Sequence, residues 1–353
     1  MILERYIFRE LLASFIFAFL AVLAVCLVGT MFQVFRTFPG LGFKILAMAL
    51  PLATGAMACW VILVASSTSS TLVYARLAAE NEITAMRACG VHTGRVLAPA
   101  LLLGLLLVGA AYPLNEIVVP WTRHARRLLF RQSTVEALKS PPPGNQDFFV
   151  GNFRLHYTDL RDGQMINPTL TRMKESTVLM DYYAPSGRIV PDNDTLKVIM
   201  LKPRYWRITE KGQKEIFSAE NEVTIDVPLE EFENAGPQTV DLPIEGLWHL
   251  FFTTKDRAQK NQVLLILHTR YASSLAPLLL VLVAVPIGIL VRKGSRLAGL
   301  GAALPPLMIY LVSYFVFQGL GDKGKIHPVI AAYAPDVFLT VLASLLLGGV
   351  ARK

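Results

Sequence analysis

Apolar runs at 11–34, 45–65 and 96–113 precede a long polar block, and runs at 271–291, 297–320 and 329–350 follow it. Each run reaches or approaches the ~20 residues that a helix rising ~1.5 Å per residue needs to cross a ~30 Å hydrocarbon layer. The pattern predicts an α-helical membrane protein with six transmembrane helices, three before the insertion and three after. The first run is too long for a secretory signal and lacks a small-residue cleavage site, so it reads as an uncleaved anchor.

Inside the insertion the period changes. The prolines at 141–143 break the chain after a basic helical stretch, and from Phe148 onward apolar residues recur every second position. Phe153, Leu155 and Tyr157 alternate with Arg154, His156 and Thr158, as Val223, Ile225 and Val227 do with Thr224 and Asp226. That alternation is the mark of strands with one apolar face. Further β-rich runs lie at 177–183 and 196–201, divided by the turn signals Pro185-Ser186-Gly187 and Pro191-Asp192-Asn193-Asp194. Short strands at this spacing predict an all-β sandwich or jellyroll-like roll. Its apolar face, with Phe153, Leu155 and Tyr157 as interior candidates, either closes into a core or stays open to an apolar ligand. The expected domains are 1–113 with three helices, 114–262 with a helical entry segment and the β-domain, and 263–353 with the last three helices.

A short helix is expected at 76–90, between the second and third runs. Ala79, Ile83, Met86 and Gly90 fall at helical spacing, Glu80 and Arg87 lie elsewhere on the circumference, and Gly90 suits a left-handed C-terminal cap. One reading is an amphipathic helix at the bilayer surface; the other is a knob that docks into a partner.

Composition supports the membrane assignment: 53% of residues are hydrophobic and 17% charged, with a mean hydropathy of +0.46. The net charge is +8, but acids and bases nearly balance within 114–262, so the excess lies at the ends of the spans. No contiguous basic face is left for nucleic acid. With a cytoplasmic N-terminus, inner loops carry Arg5, Arg9, Arg76, Arg87, Arg95, Arg292, Lys293, Arg296, Arg352 and Lys353, against Arg36, Lys44, Lys323 and Lys325 outside. The positive-inside bias selects that orientation and exports the β-domain. Cys26, Cys59 and Cys89 all fall outside the β-domain, which therefore has no disulfide framework. The scattered histidines show no metal-ligand spacing.

No HExxH motif, paired intramembrane carboxylates or Ser/His/Asp set argues for a membrane enzyme. Nor is there a complete Gly-x-x-x-x-Gly-Lys-Ser/Thr loop, so nucleotide hydrolysis would fall to another chain. Cations at headgroup depth, Arg36, Lys44, Arg123, Arg126 and Arg127, are candidates for lipid phosphates. Arg270 and Asp336 are placed one to two turns inside their spans, where an ionisable group is costly unless paired or hydrated. Arg270 is expected to snorkel, contact cargo or pair with another subunit, and Asp336 to cap local polar groups.

The segment Glu80-Asn81-Glu82-Ile83-Thr84-Ala85-Met86-Arg87-Ala88-Cys89-Gly90 resembles the coupling-helix signature of the lipopolysaccharide export permease (LptF/LptG) family. The three-plus-three layout, Arg270, Pro286-Ile287-Gly288 and the turn from Gly321 to Pro328 are similar too, the last leaning toward the F member. The resemblance implies an inner-membrane ABC transporter permease that pairs with a second LptF/LptG-type subunit. It also implies a cytoplasmic LptB-like ATPase dimer that uses ATP, LptC/LptA-like periplasmic bridge proteins, lipopolysaccharide as cargo, and no cofactor on this chain. By resemblance Glu82 is the coupling acid, Ile83 and Met86 fill an ATPase groove, and Glu80, Arg87 and Gly90 complete the coupling set. The competing readings are a permease of the same architecture for another lipid or lipoprotein, and an anchored binding or sensing protein.

Overall fold

The computed structural model describes residues 2–37, 43–139, 144–150, 153–174, 177–191, 195–208, 214–228, 239–291 and 296–351. It divides into two compact units, one made of Met1–Gly29, Leu52–Arg123 and Thr239–Lys353, the other of Thr30–Pro51 and His124–Gln238. The helices are α1 (Ile2–Thr37), α2 (Phe43–Ala79), α3 (Glu82–Ala88), α4 (Thr93–Pro113), α5 (Val119–Lys139), α6 (Ile244–Thr253), α7 (Arg257–Leu290), α8 (Arg296–Asp322) and α9 (Pro328–Ala351). A π turn, Leu114–Val118, joins α4 to α5. Among the described residues, six helical segments are long and apolar enough to cross a membrane: Ile2–Phe32, Met57–Ala79, Thr93–Leu129, Arg257–Leu290, Gly301–Asp322 and Pro328–Gly349. The chain is a multi-pass helical membrane protein with an inserted β-domain.

Three helices run well past the limits that apolarity alone suggests, each for a local reason. α2 continues beyond residue 65 through Ser66, Ser67, Ser69, Ser70 and Thr71, all buried. Hydroxyls at three of these positions donate to carbonyls a turn earlier, Ser66 to Leu63 at 2.9 Å, Ser69 to Ser66 at 3.3 Å and Thr71 to Ser67 at 2.9 Å. Ser67 donates instead across to the Ala303 carbonyl at 3.2 Å. Satisfied in this way, four of the five hydroxyls sit inside the bundle at little cost, while that of Ser70 has no hydrogen-bond partner among the described residues. The third helix does not stop at Pro113 but widens into the π turn and resumes as α5. Proline lacks the N–H that a regular helix needs, and a π turn absorbs the irregularity. α7 starts fourteen residues before 271 because Asp256 caps it, its Oδ1 accepting the Ala258 N–H at 3.0 Å.

Small residues let these helices approach closely. Gly104 on α4 faces Leu278 of α7, and a Cβ on Gly288 of α7 would lie 2.7 Å from the Thr71 carbonyl and 3.0 Å from the Ala75 nitrogen of α2. Close backbone approach replaces the hydrophobic drive that lipid cannot supply. One core gathers Ile7 and Leu11 of α1, Tyr74 and Leu77 of α2, Ile83 of α3, Val96 to Leu107 of α4, and Val281 and Val285 of α7. A second joins α2, α7, α8 and α9 around Leu280, Tyr310 and Leu339.

The β-domain contains β1 (Gln146–Val150), β2 (Phe153–Tyr157), β3 (Asp159–Arg161), β4 (Gln164–Ile166), β5 (Thr169–Lys174), β6 (Thr177–Tyr183), β7 (Ser186–Pro191), β8 (Thr195–Leu201), β9 (Arg204–Ile208), β10 (Lys214–Ser218) and β11 (Glu222–Pro228). One antiparallel sheet has the order β1-β2-β5-β6-β9-β10, the other β11-β8-β7-β4-β3. Each of β2–β3, β4–β5, β6–β7, β8–β9 and β10–β11 is one long segment interrupted by one to three residues. The jellyroll-like region is therefore an antiparallel meander folded across a crease, in which neighbours in sequence pair in order. Prolines mark that crease at 168, 185 and 203. They cannot donate, but their carbonyls accept: Ala184 N–H to Pro168, Asn167 N–H to Pro185 and Ala219 N–H to Pro203, each at 3.1 Å. Pro185-Ser186-Gly187, expected as a turn between strands, is such a bend; Ser186 and Gly187 already belong to β7. The reversal that the sequence reading passed over is Asp162-Gly163, with φ of 51° and 76°, a tight hairpin joining β3 to β4. Residues 192–194, of the other expected turn, lie outside the described residues.

Replacing Gly288 with Ala drives a methyl group into the α2 backbone. We expect the folded permease to lose about 1–3 kcal/mol, the usual cost of overpacking, seen as a lower melting temperature in detergent; Gly301→Ala, with open space around its Cβ site, should leave it unchanged.

Candidate functional site

The connection from α2 to α4 is built by two left-handed residues. α2 ends at Ala79, and Asn81 turns the chain with φ of 59°; Asn tolerates this region better than most residues. α3 then spans Glu82–Ala88, so residues 76–79, expected in the short helix, belong to α2 instead. Gly90, at φ 81°, closes α3: its N–H reaches the Arg87 carbonyl at 2.9 Å and the Val91 N–H reaches Met86 at 3.0 Å.

α3 is not equally open on all sides. Ile83 is 3% exposed and sits in the core with Ile7, Leu11, Tyr74 and Val96, with Met86 packed half-buried beside it. The expectation that Ile83 enters a partner's groove is thus corrected: its side chain is spent on holding α3 to its own bundle. Thr84, Ala85, Ala88 and Cys89 face outward, with Glu80 exposed and Glu82 half-exposed at the start. Burial, then the hydrogen bond and charge of Glu80, raise the Glu82 carboxyl above the usual carboxylate range, against the pull of Arg76. Arg87 is half-buried, and its Nε and Nη2 have no hydrogen-bond partner among the described residues. Arg76 reaches Glu10 of α1 in an ion pair, lies 3.8 Å from Glu80, and donates to the Tyr6 hydroxyl at 3.4 Å.

The second polar centre lies within the membrane helices. Arg270 is thirteen residues into α7, about 20 Å from its start at ~1.5 Å per residue, and is only 8% exposed. Its guanidinium pairs with Glu116 of the π turn at 3.4 Å and donates to the carbonyls of Val240 at 2.8 Å and Leu242 at 2.9 Å. Beside it, the Asn115 amide donates to Ser274 at 2.9 Å and Ser273 at 3.3 Å. Arg270 therefore neither snorkels nor stands open to cargo; it clamps the π turn and the chain leading into α6 onto α7. Glu116 escaped the sequence reading because the third span was ended at Pro113. The signal was present: an Asn-Glu pair in an apolar run, and a lone arginine in another run to neutralise it. Asp336, expected to cap local polar groups, is buried with neither carboxylate oxygen hydrogen-bonded among the described residues.

Of the headgroup-depth cations, Arg123, Arg126 and Arg127 are half-buried on α5, and Arg126 and Arg127 are not free of partners. The side chains of Arg36 and Lys44 lie outside the described residues.

On the β-domain's inner face, Leu155 and Tyr157 are fully packed with Met165, Leu170, Ala184, Val198 and Met200 near the crease. Burial pushes the Tyr157 hydroxyl up to about 12. Phe153, one step farther from the crease, is half-buried with the Arg172 guanidinium 5.6 Å over its ring. Strand register lines up Phe148, Leu155, Leu170, Tyr182, Tyr205 and Phe217 across the six-stranded sheet. Along that row the Tyr182, Tyr205 and Phe217 rings follow at 5.1 and 5.3 Å. The face is thus closed at the crease and carries an apolar row from Leu155 through Tyr182 and Tyr205 to Phe217.

Gly319 to Lys325 approaches the spacing of a phosphate-binding loop but has Ile326 where Ser or Thr is required, and it follows a helix rather than a strand. Residues 5–348 match the family described as lipopolysaccharide export system permease LptF/LptG. No curated protein matches the chain.

Replacing Arg270 with Ala strands Glu116 inside the bundle. We expect a loss of about 3–5 kcal/mol, as for other broken buried pairs, read as thermal unfolding in detergent. Arg270→Met with Glu116→Leu, which removes both charges, should recover part of it.

Proposed function

The chain belongs to the LptF/LptG family of lipopolysaccharide export permeases, and on that premise we propose that it is the transmembrane subunit of an ABC transporter that draws lipopolysaccharide from the inner membrane. The observation that carries this reading is the extent of the family match, residues 5–348, which takes in both helical halves and the β-insertion. In this reading α3 faces the cytoplasm and docks on an LptB-like ATPase dimer. A second LptF/LptG-type subunit completes the membrane passage. The β-domain is periplasmic and hands cargo to LptC/LptA-like bridge proteins.

Several features support it. A permease needs no nucleotide loop of its own, and the near-match at Gly319 lacks the metal-binding hydroxyl. α3 is held from behind by Ile83, leaving Glu80, Glu82 and Met86 at the surface for a partner; a carboxylate there suits a basic or hydrogen-bonding group. In the β-domain, Phe153 and the row ending at Tyr205 and Phe217 offer acyl chains an apolar path, while Arg172 supplies a cation beside it. Arg36, Lys44, Arg123, Arg126 and Arg127 are the cations we assign to lipid phosphates at the outer leaflet, Arg engaging two oxygens at once. Arg270 is withdrawn from that set because its donors are already used.

Two tests follow from this geometry. Glu82→Ala and Met86→Ala should release or uncouple the ATPase while the permease stays folded, whereas Ile83→Ala should cost about 2–5 kcal/mol of stability; copurification, ATP hydrolysis and thermal unfolding distinguish them. Docking through the Glu82 carboxylate should also weaken as pH falls through its raised pKa, since protonation removes the charge, and Glu82→Gln should abolish that dependence. Photo-crosslinkers at Phe153 or Tyr205 should label lipid in an exporting system, and one at Leu155, in the closed part of the core, should not. Labelling at Leu155 alone would reverse the assignment.

A further inference from the structure

α1 is a 36-residue helix that engages its compact unit very unevenly. Ile7 and Leu11 are fully buried, and Glu10 between them is largely covered; from Leu12 to Gly29 no residue is fully buried, and contact thins to a half-buried stripe through Phe15, Phe19, Leu23 and Leu27 that ends at buried Thr30. What the N-terminal turns touch is the α2–α3 junction. Ile7 and Leu11 share a core with Leu77, Ala78 and Ile83, and Glu10 is paired with Arg76, three residues before α2 ends. Arg76 is also drawn toward Glu80 at 3.8 Å and Tyr6 at 3.4 Å, and its charge acts on Glu82 at the start of α3, so one guanidinium joins the foot of α1 to the end of α2 and is felt at the first residue of α3.

We propose that Arg76 is a positioning residue: its pairing with Glu10, backed by Ile83 against Ile7 and Leu11, makes the foot of α1 move with α3. Packed interfaces respond as discrete units rather than by gradual deformation. α1 is one continuous helix, so a displacement at its best-held turns, around Ile7 and Leu11, is passed along the half-covered length that follows. Motion imposed on α3 is thereby carried to that length of α1 without passing through the Arg270 clamp. The sense of that motion, driven by an ATPase, rests on the function proposed above; the mechanical link itself does not.

The link is tested without an ATPase first. Cys26 on α1 and Cys89 after α3 are native thiols; with Cys59→Ser, spin labels at these two positions report the α1-to-α3 distance in the purified permease. We expect a narrow distribution in the parent, broadening in Arg76→Glu and in Glu10→Arg, and a return to the narrow form when both replacements are combined. Distributions that are unchanged in the single variants, or a double variant no narrower than they are, would overturn the proposal. Arg76→Lys, which keeps the charge, should stay narrow, and broadening there together with a lowered melting temperature would point to a merely structural role.

With the ATPase present in liposomes, the single variants should keep ATPase copurification while ATP-dependent lipid release falls at least about fivefold, the lower edge of ordinary coupling between sites. The charge-swapped pair should restore release. Loss of copurification in the parent protein would refute the transporter reading and leave the spin-label result standing by itself.

Discussion

A bilayer offers no water to a buried charge, and the pairing of Arg270 with Glu116 is how this chain meets that constraint. Neither group could remain ionised in the bundle alone. Together, with two backbone carbonyls accepting from the Arg270 Nη2, they fix three segments at one point: the π turn between α4 and α5, the stretch at Val240 and Leu242, and the middle of α7. The same economy appears in α2, whose buried hydroxyls are largely answered by carbonyls of their own helix. Arg270, Glu116 and Asn115 are thus joints between segments of the bundle.

Around that fixed point the bundle is graded in how firmly it holds its parts. α2, α4 and α7 meet through glycines and share a dense core, whereas α1 is fully buried there only at Ile7 and Leu11 and half-covered beyond them. α3 belongs with the foot of α1, since Ile83 fills the gap between them and Arg76 spans the junction. In the function proposed for it, α3 must be stiff toward its own body and open toward a partner. Ile83 supplies the stiffness, and the small outward residues with the two glutamates leave the opening.

The β-domain solves a different problem. A flat sheet with one apolar face would expose that face; folding a meander across a crease of prolines brings the two halves over one another. The crease positions close into a core at Leu155 and Tyr157. Farther out, Phe153 and the ring row remain half-covered, and Arg172 sits over Phe153. One strand pattern thus yields both the domain's closed core and the half-covered apolar row proposed as a path for acyl chains.

Periodicity determined the six spans, the change to strands in the insertion and the short helix closed by Gly90, while the resemblance of the motif at 80–90 pointed to the family. These are properties of neighbours along the chain, and near-neighbour patterns fix helix, strand and turn. What the tertiary structure decided is which polar residue answers which. Glu116 and Arg270 are 154 positions apart, so no local pattern could pair them: Arg270 read as a lone charge one to two turns inside its span, and Glu116 was passed over. Ile83 and Met86 share a helix face by spacing, but only the presence of α1 behind that face turns Ile83 inward. The serine run of α2 read as the end of a span until neighbouring helices enclosed it. Burial is set by what lies across a gap in space, and that distance is not written in the order of residues.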